Sequence, residues 1–209
     1  MKKKFESIKE IIVDYKRNGA KHQQMELQQY SVHDVMGLVT GYVPRIMYKR
    51  RERRLWCCHN IEENITSNDL LRPYKGPCPH QWWLTNNKKF CEKAEKIIRE
   101  KVLCCQFQSF ENLYDYLKDI SLTNGNLYRY DLARRIGHCL GISPKDYVYL
   151  HEGAKNGAEI LNKKGYIILP NTWEIRVPKN IFDSIFSDVD AIDIENLLCI
   201  YKKQFEEIE

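Results

Sequence analysis

The side chains best suited to catalysis are an aspartate, an arginine and two histidines. Asp131 and Arg135 are four residues apart in a segment with helical periodicity, so the two side chains can touch. His151 follows in a stretch rich in tyrosine, and His80 stands beside two tryptophans. If these four groups converge on one pocket, they can bind a small substrate and move its protons. The alternative interpretation is a solvated helix face that carries an ordinary ion pair.

A basic run lies between residues 45 and 54. Arginine guanidinium groups bind phosphate with two parallel hydrogen bonds, and the neighbouring Tyr48 and Trp56 can stack on bases or cover apolar surface. The pattern predicts contact with nucleic acid. Its alternative is a solvated basic element that pairs with the acidic C-terminal end. The arginines predicted to bind nucleic acid are Arg50, Arg51, Arg53 and Arg54.

A second phosphate-binding candidate lies where Gly141 ends a predicted helix and Ile142-Ser143-Pro144-Lys145 follows. Residues 127–150 resemble the hairpin of the helix-hairpin-helix superfamily of DNA-binding proteins and base-excision glycosylases, in which a second helix begins after Gly-hydrophobic-Gly. The resemblance implies that backbone N–H groups and the positive end of that second helix hold a phosphate, with Gly141, Ser143 and Lys145 as contacts. The same stretch also resembles uncharacterised helical bacterial proteins.

Lys145 falls where the glycosylases of that superfamily carry their nucleophile. In this sequence Ser143 replaces the second glycine and Tyr147 replaces a small residue. The aspartate expected some distance after the lysine is missing, since none occurs between Asp146 and Asp183. We therefore expect Lys145 to bind phosphate rather than to attack a sugar carbon.

The cysteines are predicted to be reduced thiols. With 43% hydrophobic residues the chain can build a core without a disulfide framework, and free cysteine behaves as a small buried hydrophobe. A zinc site is the alternative, because cysteine and histidine occur together in two short segments. The residues of that alternative are Cys57, Cys58, His59, Cys78 and His80. Adjacent cysteines point in different directions, so we predict neither a metal nor another cofactor.

Helical periodicity and capping residues predict the elements that position these side chains. Helices are expected over about 5–15, 31–39, 86–104, from 109, over 127–140, from 143, and over 153–162, 178–186 and 190–205. Short strands are expected at 166–169 and 173–177, within at most a small strand pair near 147–177. The predicted fold is mainly α, with about eight helices in a single globular domain over residues 1–209. Residues 60–85 are rich in turn formers, and any internal boundary is expected there.

Charge is spread unevenly along the chain. Residues 1–59 hold 13 Lys and Arg against 6 Asp and Glu, whereas residues 183–209 hold 2 against 8. The basic end suits a polyanion, although two oppositely charged ends of one domain can also attract each other. The sequence has no apolar run of about 18 residues and begins with charged residues, so we expect a cytoplasmic protein without a membrane span.

These patterns favour a nucleic-acid-binding protein that acts on DNA. Two alternatives remain open at this point. One is a small-substrate enzyme with a pocket formed by His80, Asp131, Arg135 and His151, and the other is a non-catalytic interaction protein.

Overall fold

The fold is mainly helical with a small β element, as the sequence predicts. A computed structural model of the chain describes residues 4–28, 30–41, 45–49, 55–56, 72–74, 87–120, 125–171 and 175–208. The α-helices are α1 (Ile8–Leu27), α2 (Val35–Thr40), α3 (Lys88–Ile97), α4 (Phe110–Asp119), α5 (Asn126–Leu140), α6 (Glu152–Lys163), α7 (Asp183–Phe186), α8 (Ala191–Ile200) and α9 (Lys202–Glu207). The strands are β1 (Arg45–Lys49), β2 (Leu55–Trp56), β3 (Arg72–Tyr74), β4 (Tyr147–Tyr149) and β5 (Arg176–Pro178).

The chain divides into two compact units. The first unit comprises Met1–His22, His59–Asn64 and Pro144–Glu209, and the second comprises Gln23–Cys58 and Ile65–Ser143. The single domain and the boundary at 60–85 both remain predictions, because most of residues 60–85 lie outside the described part of the chain.

In the first unit, β4 pairs with β5 in antiparallel register, with Val148 opposite Val177. This confirms the predicted small strand pair near 147–177. The helix expected from Ser143 is wrong, because the chain passes through residues 142–146 without a helical turn and enters β4. Bonds at both ends of the pair extend the ladder: Lys179 N donates to Asp146 O at 2.8 Å, and Leu150 N donates to Ile175 O at 2.6 Å. Strand pairing and burial of Val148 outweigh the local Ser-Pro signal.

Three other boundaries differ from the sequence predictions. Helix α1 continues past Gly19 to Leu27, because one interior glycine costs only about 1 kcal/mol. Helix α2 begins at Val35 rather than near Ser31, since the side chain of Asp34 accepts from Gly37 N at 2.9 Å and caps it there. Residues 166–169 form no strand, because they follow the turn that ends α6.

Two helices end in the same glycine-dependent turn. Gly141 after α5 and Gly165 after α6 have φ values of 73° and 78°, which L-residues with a Cβ adopt only with strain. In each case the residue after the glycine donates back across the last turn, as when Ile142 N bonds Gly137 O at 2.8 Å. Gly141 therefore ends α5, as the sequence predicts, and does so in the left-handed conformation.

Helix α1 is fixed to residues 188–201 of the first unit by three consecutive residues. The hydroxyl of the fully buried Tyr15 donates to Oδ1 of Asp193 at 2.7 Å and accepts from Nδ2 of Asn196 at 3.1 Å. On either side of Tyr15, Asp14 accepts from the Tyr201 hydroxyl at 2.8 Å, and Lys16 donates to the carbonyl of Asp188 at 3.2 Å. The acidic C-terminal segment thus meets α1 through hydroxyl and backbone hydrogen bonds.

Helices α6 and α8 approach closely at two glycines. A Cβ on Gly157 would fall on the carbonyl group of Leu198, and a Cβ on Gly153 would lie 2.6 Å from Sγ of Cys199. The first obstacle is backbone, whereas the second is a side chain that can rotate. Gly157 therefore sets the distance between the two helices.

We predict that Gly157→Ala lowers the free energy of unfolding by about 2 kcal/mol, because a methyl group forced against backbone separates the helices. Gly153→Ala brings the same gain in helix propensity and should lower the free energy of unfolding by less. Adding Cys199→Ala removes the sulfur that the new methyl group would meet, so it should restore most of that loss. Urea unfolding followed by circular dichroism measures all three variants. Equal stability of Gly157→Ala and the parent protein would show that the two helices can separate without loss.

Candidate functional site

The predicted catalytic residues are distributed over the two units. Asp131 and Arg135 lie on α5 in the second unit, whereas His151 belongs to the first unit, where it is buried at the N-terminal end of α6. His80 lies outside the described residues. A pocket made by these four residues therefore remains a prediction.

Arg135 is engaged by the backbone of the second unit. Its side chain is 4% exposed, and Nη1 donates to the carbonyl oxygen of Leu38 at 2.5 Å. Nε donates to the backbone carbonyl of Asp131 at 3.0 Å, and the guanidinium carbon lies 5.8 Å from the ring centre of Tyr30. Leu38 is in the last turn of α2, where carbonyl groups lack partners within the helix. A cation is also favourable at that negative end of the helix. These contacts give Arg135 a structural role in fixing α2.

Tyr128 provides a second donor to the same helix end. Its hydroxyl donates to the carbonyl oxygen of Val39 at 2.8 Å, and its ring makes an edge contact with Phe90 at 5.8 Å between centroids. The pKa of Tyr128 is raised far above its ordinary value, mainly by burial. The phenol therefore keeps its proton and remains a donor. The sequence does not identify Tyr128 as an anchor, because the carbonyl it serves is 89 residues away.

Two further arginines of α5 lie over tyrosine rings. The guanidinium carbon of Arg129 is 5.5 Å from the ring centre of Tyr114 on α4, and that of Arg134 is 5.6 Å from the ring centre of Tyr130. Cation–π contacts of this kind are favourable, more so when water is excluded. The arginines that make α5 basic in sequence therefore contribute to packing within the second unit.

Among the described residues, Cys91, Cys104, Cys105, Cys139 and Cys199 form no disulfide. Their reduced state remains a prediction. Burial raises the pKa of the Cys91 and Cys139 thiols, which lowers their reactivity near neutral pH. Over the described ranges, no three His, Cys, Asp or Glu side chains come together in a way that could hold a metal ion. The zinc alternative, Cys57, Cys58, His59, Cys78 and His80, lies outside those ranges.

The segment that resembles a DNA-binding hairpin has an extended second half. Ser143 and Lys145 are exposed, and the chain runs from Gly141 to β4 without the helix that the resemblance implies. The N–H group of Ile142 is already bonded to Gly137 O within the turn. The positive helix end expected to attract phosphate therefore does not occur at residues 141–146.

Three strands of the second unit set the register of the basic run. Strand β1 pairs with β3 through its first three residues and with β2 through its last two, both antiparallel. Since Lys49 is opposite Leu55, the five residues between them connect β1 to β2 directly. Four of those five are the predicted nucleic-acid-binding residues Arg50, Arg51, Arg53 and Arg54, which lie outside the described residues.

Alternation along the strands assigns their residues to two faces of the sheet. Arg45 and Lys49 occupy positions of one face, and so does Arg72, which is opposite Met47. Tyr74, which is opposite Arg45, belongs to the same face, whereas Tyr48 and its partner Trp56 occupy positions of the other. The register therefore puts three basic positions on one face, together with apolar and aromatic ones.

Comparison with protein-family models, with curated proteins and with solved structures finds no match to this chain. None of the described helices is long and apolar enough to cross a membrane.

We predict that Arg135→Gln lowers the free energy of unfolding by about 2 to 3 kcal/mol, because carbonyl groups at the end of α2 lose a charged donor. Tyr128→Phe should cost about 1 kcal/mol, the value of a neutral hydrogen bond. Arg129→Gln is the comparison and should cost less than Arg135→Gln, since Arg129 loses a cation–π contact with Tyr114 but no bond to a helix-end carbonyl. Urea unfolding of the three variants provides the measurement. If Arg135→Gln unfolds at the same urea concentration as the parent protein, the structural role of Arg135 is wrong, and that result would favour a catalytic role.

Proposed function

We propose that the protein binds nucleic acid through the basic strands and connection of the second unit, residues 45–56 and 72–74. The observation that carries the proposal is the pairing of Lys49 with Leu55. This pairing closes a two-stranded ribbon around a connection that contains four arginines in five residues. A β-ribbon fits the major groove of duplex DNA, and its cations can reach the phosphates on either side.

The register gives the sheet a face with three basic positions. Arg45, Lys49 and Arg72 occupy positions of that face, which also includes Tyr74 opposite Arg45, whereas Tyr48 and Trp56 occupy positions of the other. Arginine and lysine side chains bind phosphates, and phosphate contacts carry no sequence information, so we expect binding with little dependence on base sequence.

The environment of Arg135 favours this function over the enzyme alternative. Three of its contacts are with backbone carbonyls or an aromatic ring of its own unit, which leaves less of the guanidinium for a substrate. The ribbon, in contrast, contains four arginines within five consecutive residues of the sequence.

The first test is the salt dependence of binding. Fluorescence anisotropy with labelled duplex DNA at several salt concentrations should give a steep log–log slope, because each neutralised phosphate contributes about 0.9. Replacement of Arg50, Arg51, Arg53 and Arg54 by Ala should flatten the slope by about 3 to 4. A lack of binding to duplex DNA, single-stranded DNA and RNA at low salt would refute the proposal.

A matched control removes the same charge from α3 of the same unit. Lys88, Lys89, Lys93 and Lys96 are exposed, and two of them pair with glutamates four residues along the helix. Replacement of these four lysines by Ala should leave the slope nearly unchanged. An equal loss in this variant would mean that net charge, rather than the ribbon, determines binding.

A second test concerns Lys145, the position of the nucleophile in the glycosylases that residues 127–150 resemble. We expect no borohydride-trapped crosslink to DNA with abasic sites, because Lys145 is exposed and no aspartate between residues 146 and 183 is available to assist. Denaturing electrophoresis separates crosslinked from free DNA. A crosslink in the parent protein that is lost in Lys145→Gln would instead identify a lyase-type glycosylase.

A further inference from the structure

An open groove of about 420 Å³ runs between α6 and α9 in the first unit. Its volume is within the roughly 300 to 1,000 Å³ typical of small-molecule sites. Helix α6 lines it with Asn156, Glu159, Ile160 and Lys163, a spacing that puts all four on one helix face. The groove is separate from the basic strands and from every residue used in the proposed function.

Three lysines give the groove a surplus of positive charge. Lys202 and Lys203 line it from the start of α9, and Lys163 lines it from the end of α6. Within the described part of the chain these lysines form no ion pair, whereas Glu159 is paired with Lys155 at 3.7 Å. The three lysines outnumber the two glutamates of the lining, Glu159 and Glu206, so an anion bound beside them would be stabilised.

The remaining lining groups distinguish the ligand from a simple anion. Glu206 is also without an ion pair among the described residues, and a carboxylate can only accept hydrogen bonds. It therefore suits a ligand that carries hydroxyl or amino donors. The amide of Asn156 can both donate and accept, and Ile160 offers apolar surface to a flat ring.

We infer that the groove between α6 and α9 binds a small phosphorylated ligand that also carries hydroxyl and amino groups, the chemistry of a nucleotide. The phosphates are held by Lys163, Lys202 and Lys203, and the donors of the sugar or base are held by Glu206 and Asn156. This site is independent of the nucleic-acid surface of the second unit.

Isothermal titration calorimetry with three probes tests the assignment in the absence of divalent cations. ATP should bind more tightly than inorganic tripolyphosphate, and adenosine should bind weakest. The double variant Lys163→Gln/Lys203→Gln should weaken ATP binding by about tenfold or more, since charge-assisted hydrogen bonds are lost. Equal affinity for ATP and tripolyphosphate, or for ATP and adenosine, would overturn the proposal.

Glu206→Ala separates a nucleotide site from nonspecific attraction. This change should weaken ATP binding, because an acceptor is lost, yet strengthen tripolyphosphate binding, because a negative charge is removed. A parallel increase for both probes would refute a role of Glu206 in recognition.

The control Lys88→Gln/Lys89→Gln on α3 should leave ATP affinity unchanged, and loss of affinity there would indicate binding by surface charge. The variant that lacks the four ribbon arginines should still bind ATP, whatever its affinity for DNA.

Discussion

The carbonyl oxygens at the end of α2 need hydrogen-bond donors, and this requirement organises the second unit. Leu38 and Val39 receive them from Arg135 and Tyr128, two residues of α5 that are almost 100 residues away in sequence. A buried carbonyl without a donor lowers the free energy of unfolding by about as much as several favourable contacts raise it. Helices α2 and α5 must therefore stay packed together. The first unit has a different anchor, the hydroxyl of Tyr15, which donates to the side chain of Asp193 and accepts from that of Asn196.

This arrangement changes how polar residues of α5 should be interpreted. Arginine, tyrosine and aspartate in a dense group are typical of active sites, but they are also the residues that satisfy buried backbone and cover aromatic rings. In α5 the arginines at 129, 134 and 135 all lie over tyrosine rings of their own unit. Their packing makes these arginines weaker candidates for function, which directs attention to the ribbon and to the groove between α6 and α9.

Much of the fold could be predicted from local sequence signals, whereas the roles of individual side chains could not. Asn87 and Ser109 cap their helices as expected, with acceptor oxygens 3.3 and 3.2 Å from the backbone nitrogens of Phe90 and Asn112. These signals are reliable because donor and acceptor lie within one turn. The failures at Ser143 and at residues 166–169 have a different origin. The strand that follows Ser143 depends on pairing with β5, which is distant in sequence, whereas residues 166–169 come directly after the turn that ends α6. The same distance in sequence concealed the structural role of Arg135, while His80 and the arginines at 50–54 remain predictions.

The close approach of α6 and α8 also bears on how distant relatives of this chain could be identified. At residue 157 the neighbouring backbone leaves no room for a methyl group, whereas the exposed positions 155 and 159 accept many side chains. Sequence divergence would therefore change the exposed residues of α6 long before it changed Gly157. A glycine four residues after another glycine, facing a long apolar helix near the C-terminus, would be a better marker of common ancestry than overall identity.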